Sequence, residues 1–311
     1  MRRINTRSSR PVRSMEEGLK RWSGKSPLDA LTEIGADFIP VVAPAYAKVG
    51  ETEIAIPNKM AVLNPLNNAC LGIVSEGWRP MHNRVTAESI QQLAEAMEMP
   101  VRLTNAYNVN GGMLVGLEAR IGDNTEIVPG DDVIPIVKIV QGNGGNSPLA
   151  FMFELMRLVC SNGMRAPVEG MSAIFRCKHT KHIETRYSWN FDSVLKNFSV
   201  MRDNMIEKFR TLAAKTASEA EARAFFNEIA KNVKGDKDDK ADQTIADLVD
   251  VWNHPRQTMA GRNYWALLNS ATEYLQHYGF RSDSQMQLQN INGSAVRMKD
   301  EAFRLAVAMA V

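Results

Sequence analysis

"GNGGNSPLAFMFELMRLVC", residues 142–160, decides whether this chain is built around a sheet or around helices. Ser147 as a cap, Pro148 at the first helical position and Gly163 beyond the end favour a helix. Leu149, Phe151, Phe153 and Leu155 alternate as a strand does, and the Gly/Asn turn ahead of them suits a hairpin. The residues alone fit both patterns.

The flanks point to a sheet followed by helices. "VRLTNAYNV" (101–109), "GGMLVGLEARIG" (111–122) and "DDVIPIVKIVQ" (131–141) have strand character and are separated by Gly, Asn and Asp. Before them a helix is expected over 86–98, with Thr86 as N-cap, Glu88 in the first turn, and Ile90, Leu93, Ala94 and Met97 at helical spacing. Residues 27–85 read as short strands. "DFIPVVAPAYAKVG" and "EIAIPNKMAVLN" are interrupted by Pro40, Pro44 and Pro57, and a proline removes a ladder donor, which confines such runs to edge strands or bends. "ACLGIVSEGWRPMHN" adds a strand ending near Trp78.

From Asn190 onward the period becomes helical, with Val194, Phe198, Met201, Met205 and Phe209 on one face. "SEAEARAFFNEIAKNV", "QTIADLVDVW" and "RNYWALLNSATEYLQHYG" read as further helices, the last stopped by Gly279, and "KGDKDDKAD" (234–242) reads as a solvated linker. Tyr264, Trp265, Leu268, Ala271, Thr272 and Leu275 are expected to pack.

Composition bounds the function. In 311 residues, 37 basic against 35 acidic side chains leave a net charge of +2, so only the distribution of charge can point to a polyanion. Three cysteines (Cys70, Cys160 and Cys177) are too few and scattered for a disulfide framework, which places the chain in a reducing cytoplasm. No apolar run reaches the roughly 20 residues of a membrane helix, and no secretory signal is visible. The first 26 residues are a basic arm, expected to be flexible, with eight Arg and Lys against Glu16 and Glu17. It reads as a solubilising tail or as a tether for phosphates; its Arg and Ser content also fits a transit peptide.

"FRCKHTKHIETRYSW" (175–189) is the densest stretch of reactive groups. As a strand it puts Phe175, Cys177, His179, Lys181, Ile183, Thr185, Tyr187 and Trp189 on one, mostly apolar face. Arg176, Lys178, Thr180, His182, Glu184, Arg186 and Ser188 fall on the other. Cations then recur about every 7 Å, near the phosphate spacing of an extended strand, and Arg157 and Arg165 extend the patch. A solvated basic face is the plain alternative. On this parity Tyr187 and Trp189 belong to the core. Zinc at Cys177, His179 and His182 needs a sharp turn inside "KHTKH", because a strand sends His182 to the opposite face. No metal or other cofactor is expected.

Enzymatic signatures are missing: there is no G-x-x-x-x-G-K-[ST], no H-E-x-x-H and no G-x-S-x-G. Cys160 as a nucleophile with His179 as its base is the enzymatic reading, against a buried structural cysteine.

"ALTEIGADF" (30–38), "LGIVSEGWRPMHN" (71–83), "GGMLVGLEARIG", "MRLVCSNGM" (156–164), "CKHTKHIETR" (177–186) and "NYWALLNSATEYLQHYG" (263–279) occur in an order that resembles a phage/plasmid-like family catalogued as domain of unknown function nine-thirty-two. The resemblance covers most of residues 27–280. Its most specific blocks are Arg157–Asn162, which includes Cys160 and Asn162, and Lys178-His179-Thr180; Gly163 stands where relatives carry threonine. It implies that "FMFELMRLVC" (151–160) is a hairpin strand. The family has no established biochemistry, but its members are encoded by phages, prophages and plasmids, where recombination, annealing and anti-restriction functions cluster. The order of helix, strands and basic segment is also similar to the core of single-strand annealing proteins, which form rings or filaments around nucleic acid.

The expectation is therefore an α+β chain with a curved, mainly antiparallel β-sheet core over 27–190 and a helical C-terminal region over 191–311 packed on it. Its expected function is binding of single-stranded DNA through Arg157, Arg165, Arg176, Lys178, Lys181 and Arg186, in annealing or recombination, with a homo-oligomer as partner and no membrane. The rival is a non-enzymatic interaction protein acting on a host factor, of anti-restriction or anti-defence type.

Overall fold

The computed structural model describes residues 15–157, 163–164, 174–234, 238–254, 257, 259, 261–277 and 294–310. It is an α+β structure with two antiparallel sheets and a helical C-terminal region.

The deciding stretch is extended. β7 (Asp131–Gly142) and β8 (Leu149–Arg157) form a hairpin with Val137 opposite Phe153 and Ile139 opposite Phe151. The ambiguity had a physical cause: all nine residues of β8 are buried, so the strand reads as a nearly continuous apolar run. β4 (Val101–Val109), β5 (Leu114–Ile121) and β10 (Ile174–Cys177) complete the main path in the order β10-β8-β7-β5-β4. The short strands β6 (Thr125–Val128) and β9 (Gly163–Met164) pair with β7 and β8.

One face of this sheet carries Val115, Leu117, Ala119, Val137, Ile139, Phe151, Phe153 and Leu155 into the main core. There it meets α3 (Val85–Met97) and the helical region: α4 (Ile183–Ala214), α5 (Glu219–Lys234), α6 (Asp238–Asn253), α7 (Tyr264–His277) and α8 (Ser294–Ala310). Val194, Phe198, Met201, Met205 and Phe209 of α4 are all buried, as are Tyr264, Trp265, Leu268, Ala271, Thr272 and Leu275 of α7. The other face buries Tyr107, Val109, Leu114, Val140 and Met152 in a separate cluster.

The second sheet has the order β1-β2-β3, from β1 (Val41–Val49), β2 (Thr52–Leu63) and β3 (Cys70–Ser75). Its prolines sit where ladder bonds are dispensable. β1, with Pro44, is an edge strand, and β3 reaches β2 only over Lys59–Leu63, so no third strand needs a donor from Pro57. The two sheets meet backbone to backbone. A Cβ on Gly72 would lie 2.3 Å from the Gly144 carbonyl oxygen, and one on Gly144 would lie 2.7 Å from that of Leu71.

Several expectations change. The second half of the basic arm is ordered: α1 (Met15–Arg21) packs on β4, and Trp22 is buried in the core; residues 1–14 lie outside the described residues. α2 (Pro27–Glu33) follows, with Ser26 and Asp29 forming a reciprocal capping box. Arg84, not Thr86, is the cap residue of α3, and Thr86 instead donates its hydroxyl to the Asn83 carbonyl at 2.8 Å. α6 begins inside the expected linker. The proposed stop at Gly279 lies outside the described residues.

The largest correction concerns 175–189. Extended structure ends at Cys177, a turn occupies 178–182, and α4 starts at Ile183, so the expected boundary at 190/191 falls within one helix. Ile183 and Tyr187 are four residues apart, a spacing that satisfies both a strand and a helix. Trp189 separates the two: on a strand it shares the face of Tyr187, whereas on a helix it turns about 200° away. It is 73% exposed, while Tyr187 is buried.

Candidate nucleic-acid interface

Two of the sequence blocks singled out above meet in space. Trp78 and His179 stack with ring centroids 4.7 Å apart and an angle of 16° between planes. The Arg79 amide donates to the His179 carbonyl at 3.2 Å, and His179 Nδ1 lies 2.9 Å from the Arg79 carbonyl. A carbonyl only accepts, so Nδ1 carries the proton and Nε2 is left as an acceptor. Asn83 anchors the loop from below: its side chain donates to the Ala36 carbonyl at 3.0 Å and accepts from Gln141 at 2.8 Å and from Asn143 at 3.1 Å.

His179 is 5% exposed, and among the described residues neither its Nε2 nor the hydroxyl of Thr180 has a hydrogen-bond partner. Burial pushes its pKa below the ordinary 6.5, and the hydrogen bond to the Arg79 carbonyl opposes only part of that fall. The unfolded chain therefore binds the proton more readily than the folded one. Stability from this site is fully present above pH 6.5 and is lost as pH falls through the folded value. His179→Gln is expected to flatten the decline of the melting temperature between neutral and mildly acidic pH. Identical slopes in the two proteins would contradict this.

Around the buried histidine the chain displays cations. Arg176, Lys178, Lys181 and Arg186 are exposed, and so is Arg79 on the facing loop, where its guanidinium donates to the Glu76 and Trp78 carbonyls at 2.9 and 3.0 Å. Glu184 and, on the facing loop, Glu76 are the exposed acids among them. Arg84, close by, is already engaged: its guanidinium grips both oxygens of Asp37 at 2.8 Å each, which holds that carboxyl below its ordinary range. Trp189 stands three residues after Arg186 on α4, on a neighbouring part of the helix surface.

The six expected phosphate contacts fare unequally. Arg157 is 0% exposed and ion-paired with Asp131 at 2.5 Å, so it reaches no phosphate. Arg165, Cys160 and Asn162 lie outside the described residues. Arg176, Lys178, Lys181 and Arg186 share one corner, but not as a ladder with even spacing, because Lys178 and Lys181 ride a turn and Arg186 a helix. The turn inside "KHTKH" exists, yet Cys177 is occupied by the Asn190 amide at 3.6 Å, and His179 faces Trp78 and Arg79. Among the described residues no group of three His, Cys, Asp or Glu side chains is placed to hold a metal ion.

Residues 70–300 match the family described as domain of unknown function (DUF932). The chain belongs to the DUF932 family. The DUF932 match contains both blocks of the corner; "ALTEIGADF" and the β1–β2 hairpin precede it. No curated protein and no solved structure matches the chain. Among the described residues, no helix is long and apolar enough to cross a membrane.

Two charged clusters inside the DUF932 segment escaped the sequence reading. Lys138 lies 2.9 Å from Glu154 and 3.2 Å from Glu118, whose carboxylate also accepts from Thr104 and Tyr107 at 2.7 Å each. Burial, and then the Glu118 charge, push the Tyr107 phenol well above its ordinary value, so it stays a donor. The second cluster joins Arg157 to Asp131, Gln257, Glu273 and Trp265. A signal was present for the first: Lys138 and Glu154 are the charges inside the apolar runs "VIPIVKIV" (133–140) and "LAFMFELM" (149–156).

A cleft of about 580 Å³ lies among Met99, Gly122, Asn124, Arg202, Ile206 and Arg210. Its arginines are committed, Arg202 to Asp203 at 2.8 Å and Arg210 to the Glu126 carbonyl at 3.1 Å, so it offers no anion site.

Proposed function

We propose that this chain binds single-stranded nucleic acid at the corner where β10 turns into α4. Lys178, Lys181 and Arg186 neutralise phosphates, and Trp189 supplies a face on which a base stacks. The reading is carried by Trp189: an indole 73% exposed, three residues along α4 from Arg186, and an exposed aromatic beside a cation is the pairing that lets a protein hold a single strand regardless of sequence. Duplex bases are already stacked on one another, so a platform of this kind favours single strands. Strand annealing or recombination is the activity that such binding serves in this reading, and the phage- and plasmid-borne character of the relatives agrees with it. The basic residues ahead of Met15 add long-range attraction.

The test is fluorescence anisotropy with a labelled oligothymidine and a duplex of equal length, titrated over a series of salt concentrations. Each phosphate contact contributes a slope of about 0.7 in a log–log plot for single strands, so the K178A/K181A/R186A triple variant is expected to lower the slope by about 2. Trp189→Ala is expected to weaken binding about tenfold without changing the slope, since one stacked base is worth about 1–3 kcal/mol. Salt-independent or absent binding by the unaltered protein refutes the proposal, as does a triple variant that binds unchanged.

A further inference from the structure

α4 carries the proposed corner onward along its outer side. Its buried positions Tyr187, Phe191, Val194, Phe198 and Met201 fix the opposite side against the core. Each helical residue turns about 100°, so Trp189 faces away from them, and Ser193, Lys196 and Val200 follow it within about 40°. All four are exposed. Arg186, also exposed, begins this line about 60° to one side of Trp189.

The line is selective in its chemistry. Trp189 and Val200 are the two large apolar side chains that α4 leaves exposed, and their eleven-residue spacing returns to the same line within about 20°. Its cations, Arg186 and Lys196, form no hydrogen bond or ion pair with any described residue. The acid within 186–200 is Asp192, about 60° to the other side of Trp189 from Arg186. It stands four residues before Lys196, yet the two are not paired, and an exposed pair at that spacing is too weak to withhold a lysine from a phosphate. Past Val200 the same line turns acidic, with Asp203 and Glu207 exposed on it.

We propose that a single strand held at the corner leaves it along α4, passes over Trp189 and Ser193, places a phosphate on Lys196 and ends its contact at Val200. This rests on the corner reading above and adds to it a binding residue, a path and an end. Arg186 and Lys196 are separated by about 15 Å of helix, with the indole between them, as a stacked base lies between two phosphates. The small Ser193 leaves the way from the indole to Lys196 open. Asp203 and Glu207 repel a phosphate, so the path does not continue beyond them. An acidic peptide would use the two cations and leave the indole between them without a role; a nucleotide strand uses all three.

Fluorescence anisotropy of the full chain with a labelled oligothymidine, over a series of salt concentrations, tests the path. Lys196→Ala is expected to make the log–log salt dependence shallower by about 0.7, which corresponds to about fivefold weaker binding at about 0.1 M salt. Lys48→Ala, an exposed cation on β1, is the control and is expected to change neither quantity. Far-ultraviolet circular dichroism checks that both variants keep their fold, as substitution of exposed positions predicts. Absence of salt-dependent binding by the unaltered protein overturns the corner reading and this path with it. Unchanged binding by Lys196→Ala, in a protein whose K178A/K181A/R186A variant is weakened, overturns the path alone. Equal losses for Lys196→Ala and Lys48→Ala overturn it too, since they would reflect net charge and not position.

Discussion

Arg157→Ala is expected to destabilise the protein by about 3–5 kcal/mol, read as a lower urea midpoint at neutral pH with an unchanged slope. Its guanidinium is wholly buried, with Nε 2.5 Å from Asp131 and Nη1 2.6 Å from the side-chain amide oxygen Oε1 of Gln257. Gln257 passes the chain on by donating to Glu273 at 2.6 Å, and Trp265 donates to the other oxygen of Asp131 at 2.8 Å. Truncating the arginine leaves Asp131 charged, 1% exposed and held by one neutral donor. Most of the cost is that stranded charge, not the lost attraction. Asp131→Asn combined with Arg157→Met should therefore be much less harmful than the two single losses added together. A loss below about 1 kcal/mol for Arg157→Ala would show that the network does not anchor α7 to the sheet. The phosphate-contact reading of Arg157 predicts the reverse pattern, with binding lost and stability kept.

Lys138→Met is expected to cost a similar amount, about 3–5 kcal/mol, for a related reason. The ammonium lies between Glu118 and Glu154, and the three side chains are 8%, 10% and 0% exposed. Without it two carboxylates share an apolar face with no cation between them. Glu154→Met added to Lys138→Met is expected to recover part of the loss, because it removes one of the stranded charges and fills the strand with an apolar group. Urea unfolding of the single and double variants checks this; equal midpoints would mean that the lysine is satisfied elsewhere. The cluster ties the three central strands together: Glu118 lies opposite Lys138 in the β5–β7 ladder, and Glu154 comes from β8.

These two clusters and the proposed corner show how differently charge is used in this chain. Lys138 and Arg157 are structural cations, satisfied inside the protein. Lys178, Lys181 and Arg186 are exposed on an outer turn and helix. The near balance of 37 basic and 35 acidic residues conceals that division. Long-range attraction to a polyanion depends on the second group, which is why the triple variant targets it.

Much of the fold was legible without coordinates. Strands β4, β5 and β7 announced themselves by turn residues on either side, and the helices beyond Asn190 by apolar positions at three- and four-residue spacing. Pro44 marked an edge strand, and it lies in one. These signals are local, because they arise from backbone sterics and from the side of each element that faces away from water. The candidate site was legible in part: "CKHTKHIETR" stood out as a chemistry-bearing segment and "LGIVSEGWRPMHN" as a block of the family resemblance, but nothing in either showed that they touch.

The sequence by itself determined which segments are elements and that strands precede helices, since those follow from composition and period over neighbouring residues. Only the tertiary structure decided which way the ambiguous side chains face. A four-residue spacing serves strand and helix equally, so the exposure of Trp189 depended on where β10 stops. Whether Arg157 met solvent or protein depended on Asp131 and Gln257, 26 and 100 residues away along the chain, and on the buried network they close. Burial is a property of packing between distant segments, and no local pattern encodes it.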